Sequence, residues 1–283
     1  VNWKAFSSRI LLIAVAFPVL GALIFLVPQL HHLLFNAAVA AACVIGALET
    51  RGLFEARGAA PMKVLAPLLA GTIPASSWLE VAGLIPAGWA HAWLAACMGI
   101  ILVRAVFQRD PRRVTEFLSL LSSSLFVLLY PAYFMSWIVR FSALSQPSLS
   151  IVLFLGLVFG NDMLAYFAGS LWGGSTRLNL AISPQKTLVG FIAGVVGTGI
   201  IYTFFRLVFP TLLPAGILQG VGFTLVIGLA VILGDLVESG LKRSASVKDS
   251  GIIIPGRGGL LDSVDSMLLS APLFYGLMRW AGQ

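Results

Sequence analysis

Charge is the scarcest property of this sequence. Its 283 residues include eighteen Lys and Arg and eleven Asp and Glu, 10% charged in all, where soluble domains carry roughly 25%. Such a chain cannot cover a water-facing surface, so its outside faces lipid. Cysteine is nearly absent: Cys43 and Cys97 both lie in apolar runs, which excludes a disulfide framework and a thiolate metal centre and leaves packing as their role. Histidine is limited to His31, His32 and His91, with neither HxxxH nor HExxH spacing, which excludes a histidine-built zinc site. Internal repeats, low-complexity linkers and long polar stretches are missing too, and with them any sizeable soluble domain.

What the chain has in abundance is apolar length. Hydrophobic residues make up 59% of it and its mean hydropathy is +0.97. Apolar runs of about 20 residues, the length that crosses a bilayer, fall near 10–28, 33–49, 64–83, 87–106, 115–138, 149–169, 187–208, 216–240 and 262–280. The first follows Lys4 and Arg9 and is read as a span rather than a cleaved leader. The net charge of +7 does not indicate nucleic acid, because the cations are scattered singly or in pairs between apolar runs. With the N-terminus inside, fifteen of the eighteen Lys and Arg fall on the cytosolic side, and only Arg140, Arg206 and Arg279 fall outside. The expectation is an all-α, polytopic membrane protein of about nine transmembrane helices, N-in and C-out. Residues 1–150 supply about five N-terminal spans and residues 151–283 the C-terminal helices, to which any catalytic chemistry belongs, the whole forming one integral unit.

The acids are unevenly placed. Asp235, Glu238, Asp249, Asp262 and Asp265 crowd into thirty-one residues, and Asp162 sits inside an earlier span. Ionisable groups at membrane depth cost several kcal/mol unless a partner or polar cavity receives them, so their default reading is functional. Asp235, Glu238, Ser239 and Lys242 share one helix face at i, i+3, i+4 and i+7. Asp262, Asp265 and Ser266 repeat the i, i+3, i+4 pattern where a helix N-terminus favours carboxylates. Intrahelical salt bridges and capping account for single members of this set; four carboxylates on two successive helices at one membrane face suit Mg²⁺ bound together with phosphate. Between the helices, Lys248, Asp249, Gly251, Arg257, Gly258 and Gly259 form a basic, glycine-rich loop of the kind that approaches anions. Further upstream, Ser183 reads as an N-cap, Pro184 as the first helical residue and Lys186 as a cation in the first turn, either an inner-face anchor or a phosphate ligand.

These residues resemble the signature of the CDP-diacylglycerol synthases, or phosphatidate cytidylyltransferases. The matching positions are Ser239, Leu241, Lys242, Arg243, Lys248, Asp249, Gly251, Ile254, Pro255, Gly258, Gly259, Leu260, Asp262 and Asp265, all at the family's spacing. Upstream, Asn161-Asp162, Ala165-Tyr166 and Gly169, then Ile182 to Thr187 with Gly190, are similar to the family's preceding block. Two positions depart from the signature: Arg257 stands where the family has His, and Ser263 where it has Arg. Leu188 and Val189 also replace the Trp and the Glu or Gln that commonly follow the Ser-Pro-x-Lys-Thr block. We expect Arg257 to restore the charge missing at 263.

The resemblance implies transfer of a cytidylyl group from CTP to phosphatidate, giving CDP-diacylglycerol and pyrophosphate in phospholipid biosynthesis. It implies Asp235, Lys242, Asp262 and Asp265 as catalytic residues, and Asp235, Asp262, Asp265, Glu238 and Asp162 as candidates for holding Mg²⁺, two ions by expectation. Lys186, Ser239, Arg243, Lys248, Asp249, Arg257, Gly258 and Gly259 are the substrate-binding set. Its partners would be CTP and membrane phosphatidate, with no nucleic acid, and its setting the inner (cytoplasmic) membrane with the active site facing the cytosol; a homodimer is implied by family alone. The alternatives are a cytidylyltransferase or kinase acting on another lipid, an ion-coupled transporter, and a non-catalytic scaffold. A transporter places its polar residues near mid-membrane in matching halves, a pattern this sequence lacks.

Overall fold

A computed structural model describes residues 18–107, 112–214, 216–254 and 258–281. Its long helices are α1 (Gln29–Ala56), α2 (Leu65–Val81), α3 (Trp89–Val106), α4 (Phe117–Ala143), α5 (Pro147–Trp172), α6 (Leu188–Val208), α7 (Ile217–Ser244) and α8 (Leu261–Ala281). A π turn at Leu128–Tyr133, around Pro131, interrupts α4. Among the described residues, β-structure is limited to three isolated bridges.

Six of the described helices, α1 and α3 to α7, are long and apolar enough to cross a membrane, which makes this an all-helical, multi-pass membrane protein. The other two fall short for visible reasons. Helix α2 has 17 residues, about 26 Å at 1.5 Å per residue, and α8 carries Asp262, Asp265 and Arg279. Each run expected from 33–49 onward coincides with one of these helices. Of the expected first span, residues 10–17 lie outside the described residues, and Ala22–Leu26 forms a π turn.

One boundary moves substantially. Helix α1 continues to Ala56 rather than stopping near 49, because Glu49 and Thr50 are buried within the protein and their polarity does not mark a water-facing end.

The chain folds into two compact units, each discontinuous in sequence. The first comprises residues 1–142 and 241–264; the second comprises 143–240 and 265–283. In the first, α1 buries Phe35, Val39, Cys43, Gly46, Ala47 and Leu53, the three- and four-residue spacing of a helical stripe. Small residues bring its neighbours close: an added Cβ on Gly46 would lie 3.1 Å from Pro131, and one on Gly71 would lie 2.6 Å from Val44. Cys43 contacts the Met135 sulfur at 3.6 Å and Cys97 lies 3.9 Å from the Thr72 hydroxyl, so both cysteines are packing residues. Arg140 at the end of α4 meets Glu80 at the end of α2 at 3.1 Å, and the second Glu80 oxygen accepts from the Ala90 amide.

In the second unit, α5 and α6 pack along a glycine seam. A Cβ on Gly197 would meet the Gly160 carbonyl at 2.6 Å, and one on Gly160 would meet Ile201 at 2.7 Å. Such close backbone approach is how helices associate where the surrounding solvent is as apolar as their side chains. Asn161, fully buried, donates to Thr198 Oγ1 at 2.9 Å and to the Gly228 carbonyl at 3.2 Å, tying α5 to α6 and α7.

Candidate active site

The signature segment organises around Asp262 in the first unit. Helix α7 ends at Ser244, Ser246 just beyond it is left-handed, and the chain then turns through residues 247–254. Ile254 and Gly258 exchange backbone hydrogen bonds in both directions, at 2.8 and 3.1 Å, which fixes where the loop returns to begin α8 at Leu261. Asp262, in the first turn of α8, collects the loop. Its Oδ2 accepts from the Gly259 amide at 2.7 Å, the Ser250 amide at 2.8 Å and the Ser250 hydroxyl at 2.9 Å. Its Oδ1 receives the Lys242 ammonium at 2.6 Å. A carboxylate has about four lone-pair directions, so Oδ2 is saturated by the loop and Oδ1 is the oxygen left to act beside a cation. Capping of α8 therefore does not account for Asp262: all four of its donors lie before the helix or on another one.

The signature glycines serve this arrangement first. Gly258 has φ +113, a conformation open to glycine, and an added Cβ would stand 2.7 Å from Asp262 Oδ2. At Gly259 a Cβ would collide with the Ser250 hydroxyl and lie 2.6 Å from Glu49 Oε2, and at Gly251 one would lie 2.6 Å from Glu49 Oε1. What approaches these backbones closely is a pair of protein carboxylates.

Glu49 is the residue that sequence reasoning missed. It projects from α1, is 7% exposed, and accepts from the Leu260 amide at 2.8 Å, the Leu261 amide at 2.7 Å and the Ser250 hydroxyl at 3.2 Å. The rule that singled out Asp162 would also have found it, since Glu49 is an acid at the end of an apolar run; taking that position for a span boundary hid it.

The second unit holds a separate cluster. Lys186 pairs with Asp235, whose side chain is 24% exposed. Beside it, Gly234 lets α7 approach α8 so closely that a Cβ would lie 2.7 Å from the Asp265 carbonyl and 3.1 Å from the Ser266 Cα. Asp235 and Asp265 thus flank the tightest point of that crossing. Asp265 is buried and its Oδ1 accepts from the Ser266 amide at 2.7 Å; Glu238 is fully buried and Ser239 half-buried on the same helix as Asp235. Asp162 lies on the exposed side of α5, opposite in burial to its neighbour Asn161.

The expectation for Ser183 is corrected. Helix α6 starts at Leu188 with Thr187 as its cap, in extended conformation, its hydroxyl accepting from the Gly190 amide at 3.0 Å. The cause is a fold-back of residues 176–188, in which Leu188 donates to the Thr176 carbonyl and Leu178 to that of Lys186. Lys186 therefore precedes the helix, and its charge is matched by Asp235.

Of the remaining predicted residues, Arg243 in the last turn of α7 and Lys248 and Asp249 in the loop after it are exposed, and Arg257 lies outside the described residues. Among the described residues, no three His, Cys, Asp or Glu side chains converge as a ready-made metal cage. The hard oxygen donors present suit a cation that takes one or two carboxylates and completes its shell with phosphate and water, as Mg²⁺ does.

Comparison with known proteins gives the chain relatives. The chain is 31% identical over 271 residues to the phosphatidate cytidylyltransferase of a Synechocystis species, covering 85% of this chain and 87% of that protein. It is 34% identical over 180 residues to the phosphatidate cytidylyltransferase of Thermotoga maritima, covering 62% and 64%. With an uncharacterized Escherichia coli protein, YnbB, it shares 35% identity over 166 residues, and the match spans 53% of each. The profile of the cytidylyltransferase family matches residues 7–281, so the loop built on Asp262, Lys242 and the paired glycines lies within a nearly full-length match, and the chain belongs to the cytidylyltransferase family.

Proposed function

We propose that this protein is a phosphatidate cytidylyltransferase, joining CTP and phosphatidate into CDP-diacylglycerol with release of pyrophosphate. The observation that carries the reading is the Asp262–Lys242 pair, held at 2.6 Å inside the signature loop with one carboxylate oxygen anchored and the other beside a cation. The second unit offers the same combination in Lys186 and Asp235. Carboxylates matched with ammonium groups are what a site handling two polyanions needs.

The chemistry demands little covalent assistance. A phosphatidate oxygen is already anionic and attacks the α-phosphorus of CTP; that P–O bond forms as the bond to the β-phosphate oxygen breaks, and pyrophosphate leaves with the electron pair. The protein's work is positioning and charge neutralisation. Lys242 and Lys186 are assigned to phosphate oxygens, together with Arg243, Lys248 and Arg257, and Ser239, Asp249, Gly258 and Gly259 to substrate contact. Asp235, Asp262 and Asp265 are assigned as the residues that would hold Mg²⁺, with Glu238 and Asp162 as further candidates. Bound Mg²⁺ supplies charge neutralisation and alignment of attacking and leaving oxygens.

The same proposal includes nine spans, an N-in and C-out topology in the inner membrane, a cytosolic site and a homodimer. It rests for topology on the distribution of Lys and Arg.

The test incubates purified protein in detergent with labelled CTP and phosphatidate, with and without Mg²⁺, and follows lipid and pyrophosphate together. Equal, metal-dependent formation of both is expected. Folded protein that gives no product with phosphatidate, but does with another lipid phosphate or a lipid alcohol, overturns the substrate assignment.

A further inference from the structure

We infer that Glu49 is a positioning residue for cytidylyl transfer, acting through Ser250 and the start of α8 to set the orientation of Asp262; this rests on the function proposed above. Glu49 comes from α1, the second apolar run read as a span, far in sequence from the signature, and no signature residue predicts it. It accepts from the amides of Leu260 and Leu261, two of the donors at the α8 N-terminus that no intrahelical carbonyl can receive. A buried carboxylate is costly at membrane depth, and here the three donors and the positive end of the helix dipole offset that cost.

The link to Asp262 is the Ser250 hydroxyl. It lies 2.9 Å from Asp262 Oδ2 and 3.2 Å from Glu49 Oε2. A hydroxyl has one hydrogen to give, so the two carboxylates share a single donor, and the charge on Glu49 determines how Ser250 serves Asp262. Removal of that charge releases the α8 N-terminus and redistributes the donors on Oδ2. The oxygen facing Lys242 then shifts with the rest of the group. Gly251 and Gly259 support the same conclusion, because each leaves room for the Glu49 carboxylate rather than for a ligand.

The experiment uses the full chain purified in detergent and the variant Glu49→Gln, which keeps shape but replaces one acceptor oxygen by a donor. Hydrogen exchange should quicken in the peptide containing Gly259, Leu260 and Leu261. With CTP and phosphatidate, kcat should fall about 100-fold, the scale of a misplacement near 1 Å, while both KM values stay within about twofold. Glu80→Gln, which breaks the pair with Arg140, should lower thermal stability and leave kcat unchanged; Ser250→Ala should repeat the Glu49→Gln pattern in weaker form. Wild-type kcat in Glu49→Gln, or a loss of activity that merely follows a loss of folded protein, overturns the inference. Wild-type protein that makes no labelled lipid defeats the functional reading instead, and unchanged exchange at 259–261 in Glu49→Gln then defeats the positioning role separately.

Discussion

Gly259 and Glu49 occupy adjoining space: a single methyl group on the glycine would stand 2.6 Å from the Glu49 carboxylate oxygen. Real carbon atoms do not approach that closely, so the presence of one residue dictates the absence of a side chain at the other. Gly259→Ala is accordingly expected to displace either Glu49 or Ser250, at about 1–3 kcal/mol of overpacking. Transfer activity should be lost while the membrane helices remain folded, which circular dichroism and an activity assay on the same sample would check.

Lys242 and Asp262 should behave as a unit. Their side chains are 16% and 6% exposed, and breaking a buried pair from one side costs about 3–5 kcal/mol because the other charge is left without its partner. Lys242→Met and Asp262→Asn should each abolish product and lower the unfolding temperature. Normal activity in Asp262→Asn would remove this carboxylate from the chemistry.

Asn161 provides a stability test away from the reacting groups. It spans three helices through Thr198 and Gly228, and interhelical hydrogen bonds in membranes contribute roughly 0.6–2 kcal/mol. Asn161→Leu should lower thermal stability by about that amount, measured by unfolding in detergent. A larger loss would indicate that the leucine cannot fit beside Gly194, whose Cβ position lies 2.6 Å from Asn161 Oδ1.

The two departures from the family signature make a paired prediction. If Arg257 supplies the charge missing at Ser263, Arg257→Ala loses activity while the double change Arg257→His with Ser263→Arg keeps it. Near-wild-type rates in Arg257→Ala would reject the exchange.

Much of the helical framework was legible because apolar length alone marks it. The run at 187–208 and helix Leu188–Val208 differ by one residue. The errors fall where polarity is satisfied by protein rather than water. Glu49 and Thr50 look like the end of a span and lie inside a continuing helix. Ser183 has the composition of a cap, yet its neighbours are drawn into the fold-back that hands the cap to Thr187. In the candidate site, the signature made Asp262, Lys242 and the glycines legible. Glu49 was not, because it was taken for the end of a span and because two of its partners are backbone amides, which carry no residue-type signature and lie 211 and 212 positions away.

That separation has a consequence for biosynthesis. Residues 241–264 complete a unit whose other part is residues 1–142, so the first helices enter the membrane before their last packing partner exists. At about 5–20 residues per second, the 211 residues between Glu49 and Leu260 take roughly 10–40 s to emerge from the ribosome. For that interval the nascent chain holds an acid in its second apolar run with none of its eventual donors. Assembly of the N-terminal unit is therefore a late event, and a chain interrupted before residue 241 would leave behind inserted helices with an unmatched carboxylate, a mark by which membrane proteases could distinguish the unfinished protein from the finished one.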